Sequence, residues 1–220
     1  MIITIDGPAG AGKGTISGYV AQLFKLAYFD TGMVYRAVGL QMVLNKIDLN
    51  NKEKAAEFAQ NLTFPQMMKL AQNPDFRSDT GSRAASIVSA YPEVRSALLK
   101  MQQDFALSPV YADGTPAKGV VYDGRDTGTV VCPNADLKLF LTAPVEIRAE
   151  RRYKDYVKAG INTTFEQVLA EMKSRDERDQ NRASAPLKPA ADAIMFDTSL
   201  DSQENNLAKI TEIIKEKFSL

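Results

Sequence analysis

Histidine and tryptophan are absent from the 220 residues, and cysteine occurs only once, as Cys132. Without histidine the chain has no Ser-His-Asp triad, no histidine-ligated metal and no access to the commonest general base. A single cysteine cannot form an intrachain disulfide, which favours a reducing compartment. These absences argue against the usual hydrolase chemistries. They leave open phosphoryl transfer, which needs little proton transfer from the protein.

Net charge and long apolar runs are also lacking. The 27 lysines and arginines balance the 27 aspartates and glutamates, so no overall field attracts nucleic acid or an anionic membrane. No apolar run approaches a membrane span, and a strand-like run at the very start leaves no room for a signal peptide. We therefore expect a cytoplasmic monomer that binds neither nucleic acid nor membranes.

The strongest motif is G-P-A-G-A-G-K-G-T, which lies between a β-branched run and a helical pattern. It matches the phosphate-binding loop G-x-x-x-x-G-K, in which glycine amides cradle phosphates at a helix N-terminus. The predicted ATP-binding residues are Gly7, Pro8, Ala9, Gly10, Ala11, Gly12, Lys13, Gly14 and Thr15. Lys13 would contact the β- and γ-phosphates, and Thr15 would hold Mg²⁺, partly through water. As a surface-loop side chain, Lys13 is expected to contribute little to the core. The alternative is a glycine-rich turn that merely caps a helix.

Apolar runs that alternate with amphipathic helical patterns predict an α/β, three-layer P-loop NTPase fold with a five-stranded parallel sheet. After the first strand, strands are predicted at 26–29, 120–122, 137–141 and 193–196. Prolines and a glycine interrupt 61–83, which we expect to be an insertion rather than core. Residues 112–119 are predicted to be a surface loop. Thr163 and Glu166 are predicted to form a capping box.

Arginines concentrate on one predicted helix, where Arg175, Arg178 and Arg182 share a face with Asp179. Guanidinium forks suit bidentate contact with phosphate, so this face is a candidate anion site. Arg148, Arg151 and Arg152 show similar spacing on the preceding helix. For Arg148 and Arg151, a solvated surface and a functional role stay equally open.

Charged residues also follow the predicted strands. Arg36 and Arg125 come after strand ends, which face the ligand crevice in a parallel sheet. The aspartates Asp30, Asp123 and Asp126 could pair with these arginines, hold water on Mg²⁺ or accept hydrogen bonds from a substrate.

Five segments together carry a family resemblance: G-P-A-G-A-G-K-G-T, D-T-G-M-V-Y-R, Y-P-E-V-R-S-A-L-L, Y-D-G-R-D-T-G-T-V-V-C-P-N-A and R-D-E-R-D-Q-N-R-A-S-A-P-L. They closely resemble the bacterial cytidylate kinases, in order and over nearly the whole chain. The resemblance implies a core at 1–35, 106–150 and 183–220, a monophosphate-binding insert at about 36–105 and a lid at about 151–182. It implies Mg²⁺-dependent phosphoryl transfer from ATP to CMP or dCMP, which gives ADP and CDP or dCDP.

The same resemblance assigns roles to individual residues by position. The implied CMP-binding residues are Thr31, Arg36, Ser86, Arg95, Arg125, Asp126, Arg175, Asp179 and Arg182. Of these, Arg36, Arg125 and Arg182 would hold the phosphate, Ser86, Arg95 and Asp126 would read the cytosine, and Arg175 and Asp179 would approach the pentose. The implied catalytic residues are Lys13, Arg125, Arg178 and Arg182.

Two features depart from the family pattern. The segment 61–83 is shorter than the family's insert, which ordinarily carries a small antiparallel sheet, and 112–119 looks like an insertion. Rival hypotheses are a P-loop kinase for another small substrate, a nucleotide-dependent switch and a nucleic-acid-binding protein. The switch rests only on N-K-I-D at 45–48, which copies a guanine-reading motif but trails a helix, so we interpret it as coincidence.

Overall fold

A five-stranded, fully parallel sheet organises the chain, with strands in the order β2-β3-β1-β4-β5. The computed structural model describes residues 1–220. The strands are β1 (Ile2–Asp6), β2 (Ala27–Asp30), β3 (Val120–Gly124), β4 (Leu137–Thr142) and β5 (Ile194–Asp197). The helices are α1 (Lys13–Phe24), α2 (Gly32–Leu44), α3 (Lys52–Asn61), α4 (Phe64–Leu70), α5 (Asp79–Val88), α6 (Pro92–Leu107), α7 (Val145–Lys158), α8 (Phe165–Asn181) and α9 (Gln203–Phe218). The predicted five-stranded parallel α/β fold is confirmed.

The central strands are buried on both faces, which explains their continuous apolar runs. Along β3, Val120 and Tyr122 pack into a cluster formed with α2 to α6, whereas Val121 faces the opposite cluster, formed with α1 and α9. This alternation follows from the two-residue period of a strand. Because β1 lies between β3 and β4, the loop after β1 opens at the centre of the sheet's carboxyl edge.

Residues 61–83, which we expected to be an insertion rather than core, contribute side chains to the core. They contain α4, a 3₁₀ turn at Pro74–Phe76 and the start of α5. Met67 and Phe76 are 2% and 0% exposed and belong to the apolar cluster that also holds β2 and β3. The prolines that broke the sequence pattern occupy helix N-terminal positions, where proline is tolerated. The interruptions therefore mark helix starts within the core.

Other expectations hold with smaller changes. The capping box lies one residue later than predicted, with Thr164 and Gln167 as partners, because Thr164 and not Thr163 precedes the first helical residue. Residues 112–119 form a surface loop, beside one antiparallel bridge between Val110 and Pro116. The N-K-I-D string lies in the turn after α2, where the Asp48 carboxylate accepts from the Asn50 amide at 3.0 Å. None of the helices combines the length and apolar character needed to cross a bilayer.

The helices α7 and α8 pack against each other beside the loop after β1. Ala149 of α7 and Met172 of α8 share a small apolar cluster with Ala9 of that loop. This pair spans most of the segment predicted as a lid. The domain boundaries themselves stay a prediction.

Candidate active site

The loop after β1 has the backbone geometry that phosphate binding requires. Gly10 and Gly12 adopt positive φ angles of 76° and 85°, which glycine populates readily. A Cβ on Gly7 would lie 2.2 Å from the carbonyl oxygen of Leu141, so only glycine fits against β4 there. The loop leads directly into α1, whose first amides have no partner within the helix. These amides and the positive end of the helix dipole favour an anion.

Lys13 is not the exposed loop cation that we expected. It is 6% exposed, and its Nζ donates to the carbonyl oxygen of Pro8 at 2.9 Å. Burial, assisted by the nearby charge of Arg125, lowers the pKa of Lys13 to about 7. The adjacent Asp123 opposes this shift, and burial raises the pKa of Asp123 in turn. Lys13 is therefore a cation held in a site that lacks full compensation until an anion arrives.

A polar cavity of about 290 Å³, here called the central cavity, opens beside Lys13 at the carboxyl ends of the strands. All nine predicted CMP-binding residues line it: Thr31, Arg36, Ser86, Arg95, Arg125, Asp126, Arg175, Asp179 and Arg182. They come from the β2–α2 junction, α5, α6, the segment after β3, and α8 with the residue that follows it. Their convergence from distant parts of the chain is consistent with one binding site.

The structure shows which arginines of the central cavity pair with which aspartates, a question that the sequence left open. Arg125 does not pair with its neighbour Asp126; its Nε lies 3.0 Å from Oδ2 of Asp179. Asp126 instead contacts Arg95 at 2.5 Å and Arg182 at 3.3 Å. The side chains of Arg95 and Asp126 are 7% and 8% exposed. These carboxylates hold the guanidinium groups in fixed orientations around the cavity.

Asp30 and Thr31 fix the opposite wall. Oδ2 of Asp30 lies 3.2 Å from Arg36 and 3.7 Å from Arg77, so Asp30 pairs with an arginine, one of the roles left open for it. The Thr31 hydroxyl donates to the carbonyl oxygen of Asp123 at 2.8 Å, which fixes its orientation. Asp123 accepts from the Tyr28 hydroxyl at 3.2 Å.

Positive charge exceeds negative charge in the central cavity. Seven arginines and Lys13 face four aspartates there. Arg175 shows the excess: burial and the charge of Arg125 lower its pKa to about 10, and its buried Nε has no partner. For Asp179, burial would raise the pKa, but Arg125, Arg175 and Arg182 together hold it below its usual value. The site is therefore prepared for a strongly anionic ligand.

A second opening of about 470 Å³, here called the outer cleft, lies on the other side of the phosphate loop. Gly12 and Thr15 of the loop line it, together with Arg151 of α7 and with Thr198. Arg151 donates to the Thr198 hydroxyl at 3.1 Å and to its carbonyl at 2.7 Å, so Arg151 belongs to the cleft wall. The two openings share Gly10 and Arg152. Two ligands could thus meet above the loop.

Arg148 and Arg178 have distinct environments. Arg148 is buried and bonds the carbonyl of Ala9 at 3.0 Å and the carboxylate of Asp176 at 2.6 Å, so it braces the loop and is not solvated. Arg178 lies outside the central cavity. Its guanidinium donates to the hydroxyls of Ser86 at 3.4 Å and Ser174 at 2.7 Å, in an adjoining pocket that Arg175 also lines.

The oxygen donors beside the loop fit Mg²⁺. No cluster of three or more His, Cys, Asp or Glu side chains is placed to hold a metal. Mg²⁺ bound together with nucleotide phosphates needs only one or two protein oxygens, because it keeps several waters. The exposed Thr15 hydroxyl faces the outer cleft, and the Asp123 carboxylate accepts one hydrogen bond, from Tyr28. Both are hard ligands next to the phosphate-binding amides.

Fold, loop and paired openings define a P-loop protein that is built to bind phosphorylated ligands. Residues 3–216 match the family model for cytidylate kinase. The cytidylate kinase of Rhodospirillum rubrum is 43% identical over 217 residues, 99% of this chain and 98% of that protein. That of Paramagnetospirillum magneticum is 47% identical over 204 residues, 92% of each. The chain belongs to the cytidylate kinase family, as its motifs indicated.

Among solved structures, an uncharacterized protein from Eubacterium ventriosum superposes with a TM-score of 0.52 at 12% identity, over 98% of each chain. This likeness supports the fold alone.

Several lining residues were missed by sequence reasoning. Tyr35 lies inside the quoted D-T-G-M-V-Y-R motif, and its ring packs 5.1 Å from the Arg95 guanidinium, a pairing that spacing cannot reveal. Arg152, whose spacing on α7 is visible in the sequence but indicates no site role by itself, borders both openings. Asn206 of α9 lines the outer cleft, and no signal in the sequence points to it.

Proposed function

We propose that this chain transfers the terminal phosphoryl group of ATP to CMP or dCMP. The observation that carries the proposal is the pair of openings on either side of one phosphate loop, in a chain of the cytidylate kinase family. A phosphoryl transferase needs a donor and an acceptor that meet at a shared cationic point. Gly10 and Arg152 line both openings, and Lys13, at the end of the same loop, lines the central cavity.

The outer cleft takes the donor. The backbone amides of the predicted ATP-binding loop, Gly7 to Thr15, would bind the phosphates of the donor nucleotide. Lys13 would contact its β- and γ-phosphates. Thr15 and Asp123 are the residues that would hold Mg²⁺, which neutralises phosphate charge during transfer when it is bound. Burial raises the pKa of Asp123, whereas the charge of the neighbouring Lys13 opposes that shift and favours the carboxylate that would bind the metal.

The central cavity takes the acceptor monophosphate. Arg36, Arg125 and Arg182 supply guanidinium forks for its phosphate, and the carboxylates of Asp30, Asp179 and Asp126 orient them. Ser86, Arg95 and Asp126 face the base, and Arg175 and Asp179 face the sugar, as the resemblance implies. Thr31 forms part of the cavity wall, and its hydroxyl donates a hydrogen bond to the carbonyl oxygen of Asp123.

The chemistry follows from charge rather than from proton transfer. A transferring phosphoryl group spreads negative charge over its oxygens, and fixed cations stabilise that charge without rearranging. Lys13, Arg125 and Arg182 surround the place where donor and acceptor phosphates would meet. Arg178 would join them from α8 when the segment 151–182 closes as a lid. The segment 36–105 is proposed as the monophosphate-binding insert, and the protein as a cytoplasmic monomer.

The proposal is tested by a coupled assay of ADP release with ATP and Mg²⁺ against CMP, dCMP, UMP, AMP and GMP. CMP and dCMP should be turned over with a kcat/KM at least about tenfold above the other acceptors. A better rate with another monophosphate would point to a kinase of different specificity. ATP hydrolysis that no acceptor stimulates would instead favour a nucleotide switch.

A further inference from the structure

Asn206, near the start of α9, has an unsatisfied buried oxygen. The residue is 5% exposed, and its Nδ2 donates to the carbonyl oxygens of Thr198 at 3.1 Å and Asp201 at 3.3 Å. Its Oδ1 has no hydrogen-bond partner. The orientation of the amide is determined by this environment, because a flipped group would set its oxygen against two carbonyls. A buried acceptor without a donor is costly and invites an explanation in terms of a ligand.

Asn206 lies in the same cleft as part of the phosphate loop. Asn206 lines the outer cleft, opposite Gly12 and Thr15. The Thr198 carbonyl that it bonds also accepts from Arg151 at 2.7 Å, and the Thr198 hydroxyl donates to the carbonyl of Ala11 at 3.2 Å. One chain of hydrogen bonds therefore ties Asn206 to the loop. The Asn206 side chain is therefore held at a fixed place relative to the phosphate loop.

We propose that Oδ1 of Asn206 accepts a hydrogen bond from the exocyclic 6-amino group of the donor's purine base. The proposal rests on the assignment of the outer cleft to the nucleoside triphosphate. An amino purine supplies the missing hydrogen, whereas a 6-oxo purine such as guanine presents an oxygen and leaves two acceptors facing each other. Asn206 is thus a residue that selects the donor base, and it takes no part in the transfer itself.

The test is binding measured by calorimetry on the intact chain, with Mg²⁺ and without any acceptor. The ligands are ATP, purine riboside 5′-triphosphate, which lacks only the 6-amino group, and GTP. Wild type should bind ATP at least about tenfold more tightly than purine riboside triphosphate, the usual scale for one lost partner of a buried group. GTP should bind more weakly than either.

Asn206→Ala should bind ATP and purine riboside triphosphate with equal affinity, because the acceptor is gone. Asn205→Ala provides the matched control, since Asn205 is the exposed neighbour on the same helix turn and should keep the wild-type ratio. Equal wild-type affinities for the two ligands would overturn the proposal. So would an Asn206→Ala variant that weakens both ligands by the same factor, since the side chain would then only hold the Thr198 loop.

These measurements remain informative if the proposed function fails. If CMP were not phosphorylated, the ratio of ATP to purine riboside triphosphate would still report on Asn206. The wild-type comparison requires no variant, so equal affinities for the two ligands would overturn the proposal even if the Asn206→Ala protein folded poorly.

Discussion

Lys13→Met should abolish turnover and, at neutral pH, stabilise the nucleotide-free protein. Lys13 is buried, and burial lowers its pKa from 10.5 to about 7. Each pH unit of that change corresponds to about 1.4 kcal/mol, so keeping this amine in the fold costs at most about 4 kcal/mol at pH 7. Methionine removes that cost but loses the hydrogen bond to Pro8, which offsets about 1 kcal/mol. The net gain is therefore at most about 3 kcal/mol, and a gain of about 1 kcal/mol would raise Tm by about 2–4 °C.

The pH dependence of this gain separates it from a packing effect. Unfolded Lys13 keeps its proton up to about pH 10.5, whereas the folded residue releases it near pH 7. Between these values the unfolded state binds more protons, so wild-type stability rises with pH across this window. The advantage of Lys13→Met should therefore shrink between pH 7 and pH 10. Thermal unfolding without nucleotide measures it, and Lys188→Met, at an exposed position, serves as the control for loss of one charge.

Turnover provides the second measurement. The variant should lose more than about 90% of wild-type kcat, equivalent to at least ~1.4 kcal/mol of transition-state stabilisation. A Tm of the variant below that of wild type at pH 7 would refute the account of Lys13 as an uncompensated buried cation. So would a stability difference between variant and wild type that stays the same from pH 7 to pH 10. Retention of more than a tenth of kcat would refute its role at the phosphates.

Two further predictions concern the central cavity and the lid. Asp126→Ala should lower kcat/KM for CMP by at least about tenfold, or ~1.4 kcal/mol, and should affect UMP much less. The reason is that uracil lacks the amino group from which a carboxylate can accept a hydrogen bond. An equal loss for both substrates would mean that Asp126 only holds Arg95 and Arg182 in place. Amide hydrogen exchange in 151–182 should slow when ATP and CMP are bound together, because the phosphates neutralise arginines such as Arg175, whose pKa is lowered by burial and by the charge of Arg125. Exchange that is the same with and without ligands would contradict closure.

The phosphate loop and the sheet could be predicted because their causes are local. Gly10 and Gly12 mark positive φ angles, and Lys13 follows at the start of a helix. Continuous apolar runs, such as Val120 to Tyr122, predict strands that are buried on both faces. The residues that resemblance assigned to the acceptor also converge in the structure, from α5 at Ser86 to the end of α8 at Arg182.

What the sequence did not reveal depends on long-range contacts. Arg125 and Asp126 are neighbours in sequence, yet their side chains pair with Asp179 and Arg95, which are 54 and 31 residues away. Adjacency in the sequence therefore does not identify which arginine pairs with which aspartate. The Asn206 side chain is oriented by a hydrogen bond between the start of α9 and the turn after β5, and no sequence motif predicts that contact. Burial of Phe76 likewise depends on helices packed around it.

Four cations of the central cavity would act on a phosphate in two different ways. Arg36 and Arg125 are paired with carboxylates, so their forks are oriented in advance but a phosphate must compete for them. Lys13 and Arg175 have lowered pKa values because burial is not compensated by a carboxylate in direct contact. A phosphate should therefore gain most binding energy from Lys13 and Arg175, whereas Arg36 and Arg125 should fix its orientation. Attraction and alignment are thus supplied by separate residues, and replacing a paired arginine should disturb orientation more than affinity.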